Sequence, residues 1–305
     1  MEKLIYRIYQ LTMWLLGKMP MYLIYFFSSV LNFFLSKILR YRKKMVTNHL
    51  SSSFPEMSDE ERKEVSSKFY QSMSDIFIES MKGPSLSYEE IMERFKVVNP
   101  EVANRILDEG RSVVMVSSHQ GNWEWGALCI SKWLSSLPVI LYKRMSNKYI
   151  DEDFRKVRAQ WGTEMCPSDD AKDGLTKQRE KPVAYILISD QSPVRPQKAF
   201  WVNFFNKPTG FVHGFEMQAR RYNHPVIFFD MLRVKKGYYE MRLKLITENP
   251  KEYKSGQLTA LYAKHLEDCI KEHPEQWLWT HNRWKKLMPE GKKLVEIEET
   301  EFACE

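Results

Sequence analysis

Apolar residues are spaced differently in successive parts of this chain, and each spacing predicts a different kind of element. Up to residue 36 they are almost continuous. From 58 to 82 Val65, Phe69, Met73, Ile76 and Phe77 recur every three or four positions, the stripe of an amphipathic helix. Ser58 and Glu61 form a capping box at its start, and Gly83-Pro84 ends it. A short helix follows, with Asn99 as N-cap, Pro100 in the first helical position and Gly110 just past the end. Short apolar runs at 113–116, 138–142, 182–189, 226–234 and 239–247 then alternate with helix-patterned segments. Among these are a polar stretch at 169–179 and a segment carrying Arg220 and Arg221. The last amphipathic helix covers 256–272 and stops at Pro274. Strands alternating with helices through 100–250 predict an α/β fold, a mixed sheet flanked by helices.

The N-terminal run changes the picture most. Between Lys18 and Lys37 lie 18 uncharged residues rich in Phe, Tyr and Leu, which as a helix would reach about 27 Å. The segment 8–16 is also apolar, and Pro20 kinks or separates the two. No small-x-small site follows, which disfavours a cleaved signal peptide. Lys37, Arg40, Arg42, Lys43 and Lys44 come next, and the positive-inside tendency then keeps the main domain cytoplasmic. The expectation is a hydrophobic membrane-anchoring helix, spanning or lying in the interface, with a buried core helix as the alternative.

Candidate chemistry gathers where the run 113–116 ends in two serines and continues HQGNWEWG. A strand there delivers His119 to its C-terminal edge, where open α/β sheets hold ligands and catalytic groups. Gly121 permits a tight turn, and Asn122 can cap a helix that the pattern carries to Leu134. Glu124 falls in its first turn, where the helix dipole favours a carboxylate and an oxygen can reach back to the imidazole. A histidine held in one tautomer by a carboxylate can draw the proton from a hydroxyl. The spacing alone equally fits a structural histidine beside a solvated glutamate. Neither His-Glu-x-x-His nor Cys-x-x-Cys occurs, which disfavours zinc. Lys143 and Arg144 close the run 138–142, and because strand ends converge these cations can lie beside His119; Asp190-Gln191 is again a polar pair at a strand's C-terminal end, that of 182–189.

HQGNWE resembles the His-x-x-x-x-Asp/Glu motif of the lipid A late acyltransferases, the Kdo-dependent lauroyl/myristoyl transferases, whose relatives acylate phosphatidylinositol mannosides. Further blocks match in order: NHLSSSFPEMSDEER (48–62), LYKRMSNKYID (141–151), Asp190-Gln191, FFNKPTG (204–210) and PEQWLWTHNRWK (274–285). The resemblance spans residues 1 to about 288. It implies a glycerophosphate acyltransferase-like fold with His119 as general base and Glu124 as the residue that orients it. It also makes Lys143, Arg144, Arg158, Asp190 and Gln191 substrate-binding residues. Arg158, in RAQWG, matches a basic position associated with activity; it would bind a phosphate or stabilise an oxyanion, with Arg155 close enough to compete and a solvated helix face as the alternative. Asp190 would fix a basic group or the acceptor sugar, or serve as a plain cap. The aromatic segment 200–210 would wall an acyl-chain channel or simply pack in the core. The tryptophans of 277–285, alternating with His281, Arg283 and Lys285, suit an amphipathic edge at a membrane interface.

In that family the acceptor hydroxyl belongs to a 3-hydroxyacyl chain of lipid A, and acyl carrier protein is the usual donor. No cofactor or metal is implied, and the expected location is the bacterial inner membrane with the catalytic domain on its cytoplasmic side. The chain divides into an anchor with its basic juxtamembrane segment (1–45), an acyltransferase domain (46–288) and a mostly acidic tail (289–305). It departs from the family in Glu124, where Asp is common, in Ser192-Pro193, and in Asn282, where a second arginine is frequent. Glycerol-phosphate and lysophospholipid acyltransferases share the histidine motif but usually carry a Glu-Gly-Thr-Arg block where this chain has SDQSPVRP. An acyltransferase of an amino-acid lipid and a non-catalytic lipid-binding protein are the other readings.

Composition adds three bounds. With 43% hydrophobic residues in 305, a sizeable core is easily built. Lys and Arg outnumber Asp and Glu by 46 to 39, a net +7 that suits a phospholipid surface, a phosphorylated glycolipid or an acidic carrier protein. Nucleic acid would suit it too, but no helix-turn-helix, RNA-recognition or zinc-finger pattern occurs. Cys129, Cys166, Cys269 and Cys304 are widely spaced, as reduced cytoplasmic thiols are.

Overall fold

Two apolar helices, α1 (Glu2–Lys18) and α2 (Met21–Phe33), begin the chain on either side of Pro20, and α2 runs on through a wider π turn at Phe34–Ile38. Next come α3 (Lys43–Ser53) and the long α4 (Asp59–Lys82), whose capping box forms as predicted: Glu61 N donates to Ser58 Oγ and Ser58 N donates to Glu61 Oε2. The α/β portion opens with α5 (Tyr88–Arg94), β1 (Phe95–Val97), α6 (Glu101–Asp108), β2 (Val113–Ser117) and α7 (Trp123–Cys129). It continues with β3 (Leu137–Tyr142), α8 (Lys148–Ala159), β4 (Glu164–Pro167), α9 (Ala171–Thr176) and β5 (Val183–Ile188). A hairpin of β6 (Phe200–Phe204) and β7 (Lys207–Phe211), then α10 (Gly214–Tyr222), β8 (Val226–Lys235), β9 (Tyr238–Thr247) and α11 (Gln257–Glu272), complete it. This computed structural model describes residues 2–297; Cys304 and the end of the acidic stretch lie outside the described residues.

Seven strands form one mixed sheet in the order β1-β9-β8-β2-β5-β3-β4, parallel throughout except for the β8–β9 pair. Alternate side chains supply two cores. Val114, Val116, Tyr185, Leu187 and Phe228 face α10 and α11, while Val113, Met115, Ile186 and Phe229 face α5, α6 and α7. A one-residue slip of β2 would exchange these two buried sets, so both cores hold its register against β5.

Three sequence expectations are corrected here. Asn99 does not cap α6. Pro100 takes the cap position, and the Asn99 side chain instead bonds the N–H and C=O of Leu243, both at 2.8 Å, pinning the start of α6 to β9. The aromatic segment 200–210 is the β6–β7 hairpin, with Trp201, Phe204 and Phe211 fully buried, so core packing is its use. Residues 277–285 are no exposed interfacial edge, since Trp277, Trp279 and Arg283 are all within the interior.

At the N-terminus, Ile24 and Ser28 of α2 press on α4 and are fully buried. They make up the buried share, 11%, of the whole segment Met21–Ile38, whose mean hydropathy is 1.4. It is a surface helix, not a core helix.

Candidate active site

His119 and Asp190 meet because of how β2 and β5 pair. Ser117 stands opposite Ile188, and each candidate residue lies two positions beyond. The chain leaves β2 for α7 on one face of the sheet and leaves β5 for α10 on the other, so the two loops part and open a crevice at the carboxyl ends of the strands. There His119 Nδ1 lies 2.7 Å from Asp190 Oδ1. Asp190 Oδ2 accepts from the His119 backbone N–H and from Trp277 Nε1, both at 3.0 Å.

Burial works against an ionised Asp190, but His119 and the other donors outweigh it and hold the carboxyl down at about 2. An ionised carboxylate only accepts, so the His119 proton sits on Nδ1 and the Nε2 lone pair faces the cavity, where it accepts from Gln191 Nε2 over a long 3.4 Å. Burial likewise disfavours charging the imidazole, but Asp190 prevails and the histidine is raised above its ordinary value.

The loop between them is built for this placement. Gly121 adopts φ +55°, and a Cβ there would collide with the Met231 carbonyl. Asn122 Oδ1 caps α7 through Trp125 N at 3.0 Å, as the sequence predicted. Glu124 does fall in the first turn of α7, but the hydrogen bond expected from it to the imidazole is made by Asp190 instead. The first turn of α7 carries the Glu124 side chain toward α8, where Oε2 accepts from Arg158 Nε at 3.0 Å and also from Nη2. Trp123 Nε1 donates to the other oxygen, and the Arg158 guanidinium lies 3.8 Å from the Phe154 ring centroid.

The crevice leads into a cavity of about 650 Å³, within the range of about 300–1,000 Å³ common for ligand sites. Met115, Ile140, Ile186 and Phe229 from four strands line it, with Gly126, Ala127 and Ile130 opposite. His119, Glu124, Lys143, Arg158 and Gln191 are also on its wall. Arg144 is not: it turns outward to an exposed cluster, its Nε 3.0 Å from Asp169 and its Nη2 bonded to Asp170. Of the two cations at the end of β3, Lys143 is on the wall of the cavity that His119 also lines, and Arg144 is not. None of residues 200–210 lines the cavity.

The family model described as bacterial lipid A biosynthesis acyltransferase matches residues 2–286. The chain belongs to this family. A lipid A biosynthesis lauroyltransferase of Escherichia coli (strain K12) is 25% identical over 280 residues, covering 92% of this chain and 90% of that protein.

Two contributions to this lipid A acyltransferase's site were not foreseen. The strap 277–285 packs behind Asp190: besides the Trp277 bond to its carboxylate, His281 Nε2 accepts from Ser192 N at 3.0 Å. Burial lowers His281 to about 4, which keeps that lone pair available. Arg283 lies 4.1 Å from the Phe211 ring centroid, and burial pulls it down to about 10 despite the nearby Asp190. The second contribution is Glu79 of α4, fully buried beneath the turn that follows His119. Its Oε2 accepts from Asn122 Nδ2 at 2.9 Å and Tyr239 OH at 2.5 Å, and its Oε1 from Tyr25 OH at 3.0 Å. The WLWT tryptophans and a lone glutamate in an amphipathic helix carry no sequence signal of these partners. Only the strand order brings them under His119.

Proposed function

We propose that this lipid A acyltransferase moves a fatty acyl group from an acyl thioester, carried by acyl carrier protein, to a hydroxyl of a lipid A precursor. His119 is the general base and Asp190 the carboxylate that orients it. Nε2 takes the hydroxyl proton as the oxygen attacks the thioester carbonyl; the tetrahedral intermediate then expels the thiolate, which receives the proton back from Nε2. The products are an ester and a free thiol. No acyl-enzyme, metal or cofactor enters this scheme.

The observation that carries the reading is the 2.7 Å Nδ1 contact to Asp190 at the mouth of a cavity floored by apolar side chains. That cavity would take the donor chain. Glu124 and Arg158, paired at its rim, and Lys143 beside them would position the reacting groups and their phosphates. Arg144 would act at the outer surface. The net +7 charge suits both an acidic carrier and a phosphorylated acceptor. With α1 and α2 as its anchor, the protein would work at the cytoplasmic side of a bacterial inner membrane, 1–45 serving as anchor and basic segment and 46–288 as catalytic domain.

The test is mass spectrometry of total lipids from cells lacking the gene, complemented with wild type or with His119→Ala. Lipid A should lack one acyl chain, and wild type alone should restore it. Restoration by a normally folded His119→Ala would sink the mechanism. An unchanged lipid A with a phospholipid or amino-acid lipid short of a chain would move the reading to another acceptor.

A further inference from the structure

A second apolar cavity, of about 350 Å³, adjoins the first. Its walls come from α1 (Tyr9, Met13), α4 (Phe77, Ser80), α7 (Leu128) and α8 (Val157). Trp123, Glu124, Met145, Phe154 and Arg158 belong to both linings. The Glu124–Arg158 pair and the Trp123 indole, 5.2 Å from the His119 ring, therefore form a partition between two apolar spaces that meet beside the imidazole.

The two spaces differ in how a chain would reach them. The first is floored by four strands, so an acyl chain that enters it tail first, still in thioester linkage, is measured by the depth available. The second has surface helix α1 as one wall, and α1 exposes Leu4, Ile8, Leu11 and Trp14 on its outside. A hydrocarbon chain can thus slide into it from an apolar phase without crossing water. Ser80 donates its hydroxyl proton to the Ile76 carbonyl at 2.6 Å, so the α4 wall, otherwise Met73, Ile76, Phe77 and Met81, has no free donor for a polar ligand.

We infer that the second groove holds an acyl chain of the acceptor lipid, presenting its hydroxyl to His119 Nε2 while the donor chain fills the first cavity. This rests on the acyltransferase reading above. A transfer between two lipid-bearing substrates needs two chain sites that converge on one base, and the shared partition supplies that convergence.

The experiment uses the full-length protein with a lipid A precursor in mixed micelles and lauroyl thioester as donor. Ser80→Phe should raise the acceptor KM roughly ten-fold or more and leave the donor KM and donor chain-length preference as in wild type. Ala127→Leu, which narrows only the first cavity, should shift donor preference to shorter chains and leave the acceptor KM in place. Met13→Trp, filling the same groove from α1, stands in should Ser80→Phe fail to fold. An acceptor KM unmoved by a folded groove variant, or a shift in donor chain length instead, overturns the inference while the acyltransferase reading stands. A wild-type protein that transfers to no lipid acceptor overturns both.

Discussion

Asp190 holds a backbone N–H, an indole N–H and an imidazole N–H with its two oxygens. Replacing it by Asn offers Nδ1 an amide that can favour the wrong tautomer, with the loss expected from the equivalent change in serine proteases, roughly ten-thousand-fold in kcat. The sign of the pH effect follows from the same contact. The base must be neutral to act, and Asp190 raises His119 above its ordinary 6.5, so activity should fall as pH drops through a midpoint above that value. In Asp190→Asn burial loses its main opposition, with only the Glu124 charge still favouring the imidazolium, and the acid limb of the kcat/KM profile should move to lower pH. A limb that stays in place would mean that Asp190 does not set the charge of the imidazole.

The element scale shows what sequence can and cannot reach. The runs 113–116 and 182–189 were legible as strands, and His119 and Asp190 as the polar residues that end them. Their pairing was not legible, because it depends on β5 inserting between β2 and β3, a consequence of crossovers that no local pattern records. Glu124 is nearer in sequence and drew the role by proximity, whereas the partner 71 residues away makes the bond. The hairpin and the tryptophan strap were misplaced for a related reason: aromatic content does not say whether a segment faces lipid or core. Glu79 is the clearest test of how α4 supports the loop. Glu79→Ala leaves Asn122 Nδ2 and Tyr239 OH without their acceptor in the interior, each costing about 1–3 kcal/mol. The urea midpoint should fall accordingly, and kcat/KM should fall further than stability alone explains, since Asn122 caps the helix that follows His119.

For the whole molecule, the apolar exterior of α1 and α2 lies next to the basic segment Arg40, Arg42, Lys43 and Lys44. A protein so built should co-sediment with vesicles containing anionic lipid, less as salt rises. Glu at both Phe26 and Phe33, which are 61% and 53% exposed, should abolish sedimentation with little change in melting temperature, because neither side chain is in the core. Retained binding would place the contact elsewhere.

Tyr25 is on the same helix as those phenylalanines, yet its hydroxyl reaches inward to Glu79, which in turn holds Asn122. This surface helix and the turn after His119 are thus joined through two side chains. If that helix shifts or frays when its greasy side meets water, the strain passes through a tyrosine and a carboxylate to the turn that aims the imidazole. The protein would then be its own detector of where it is, sluggish adrift in solution and competent once seated in lipid.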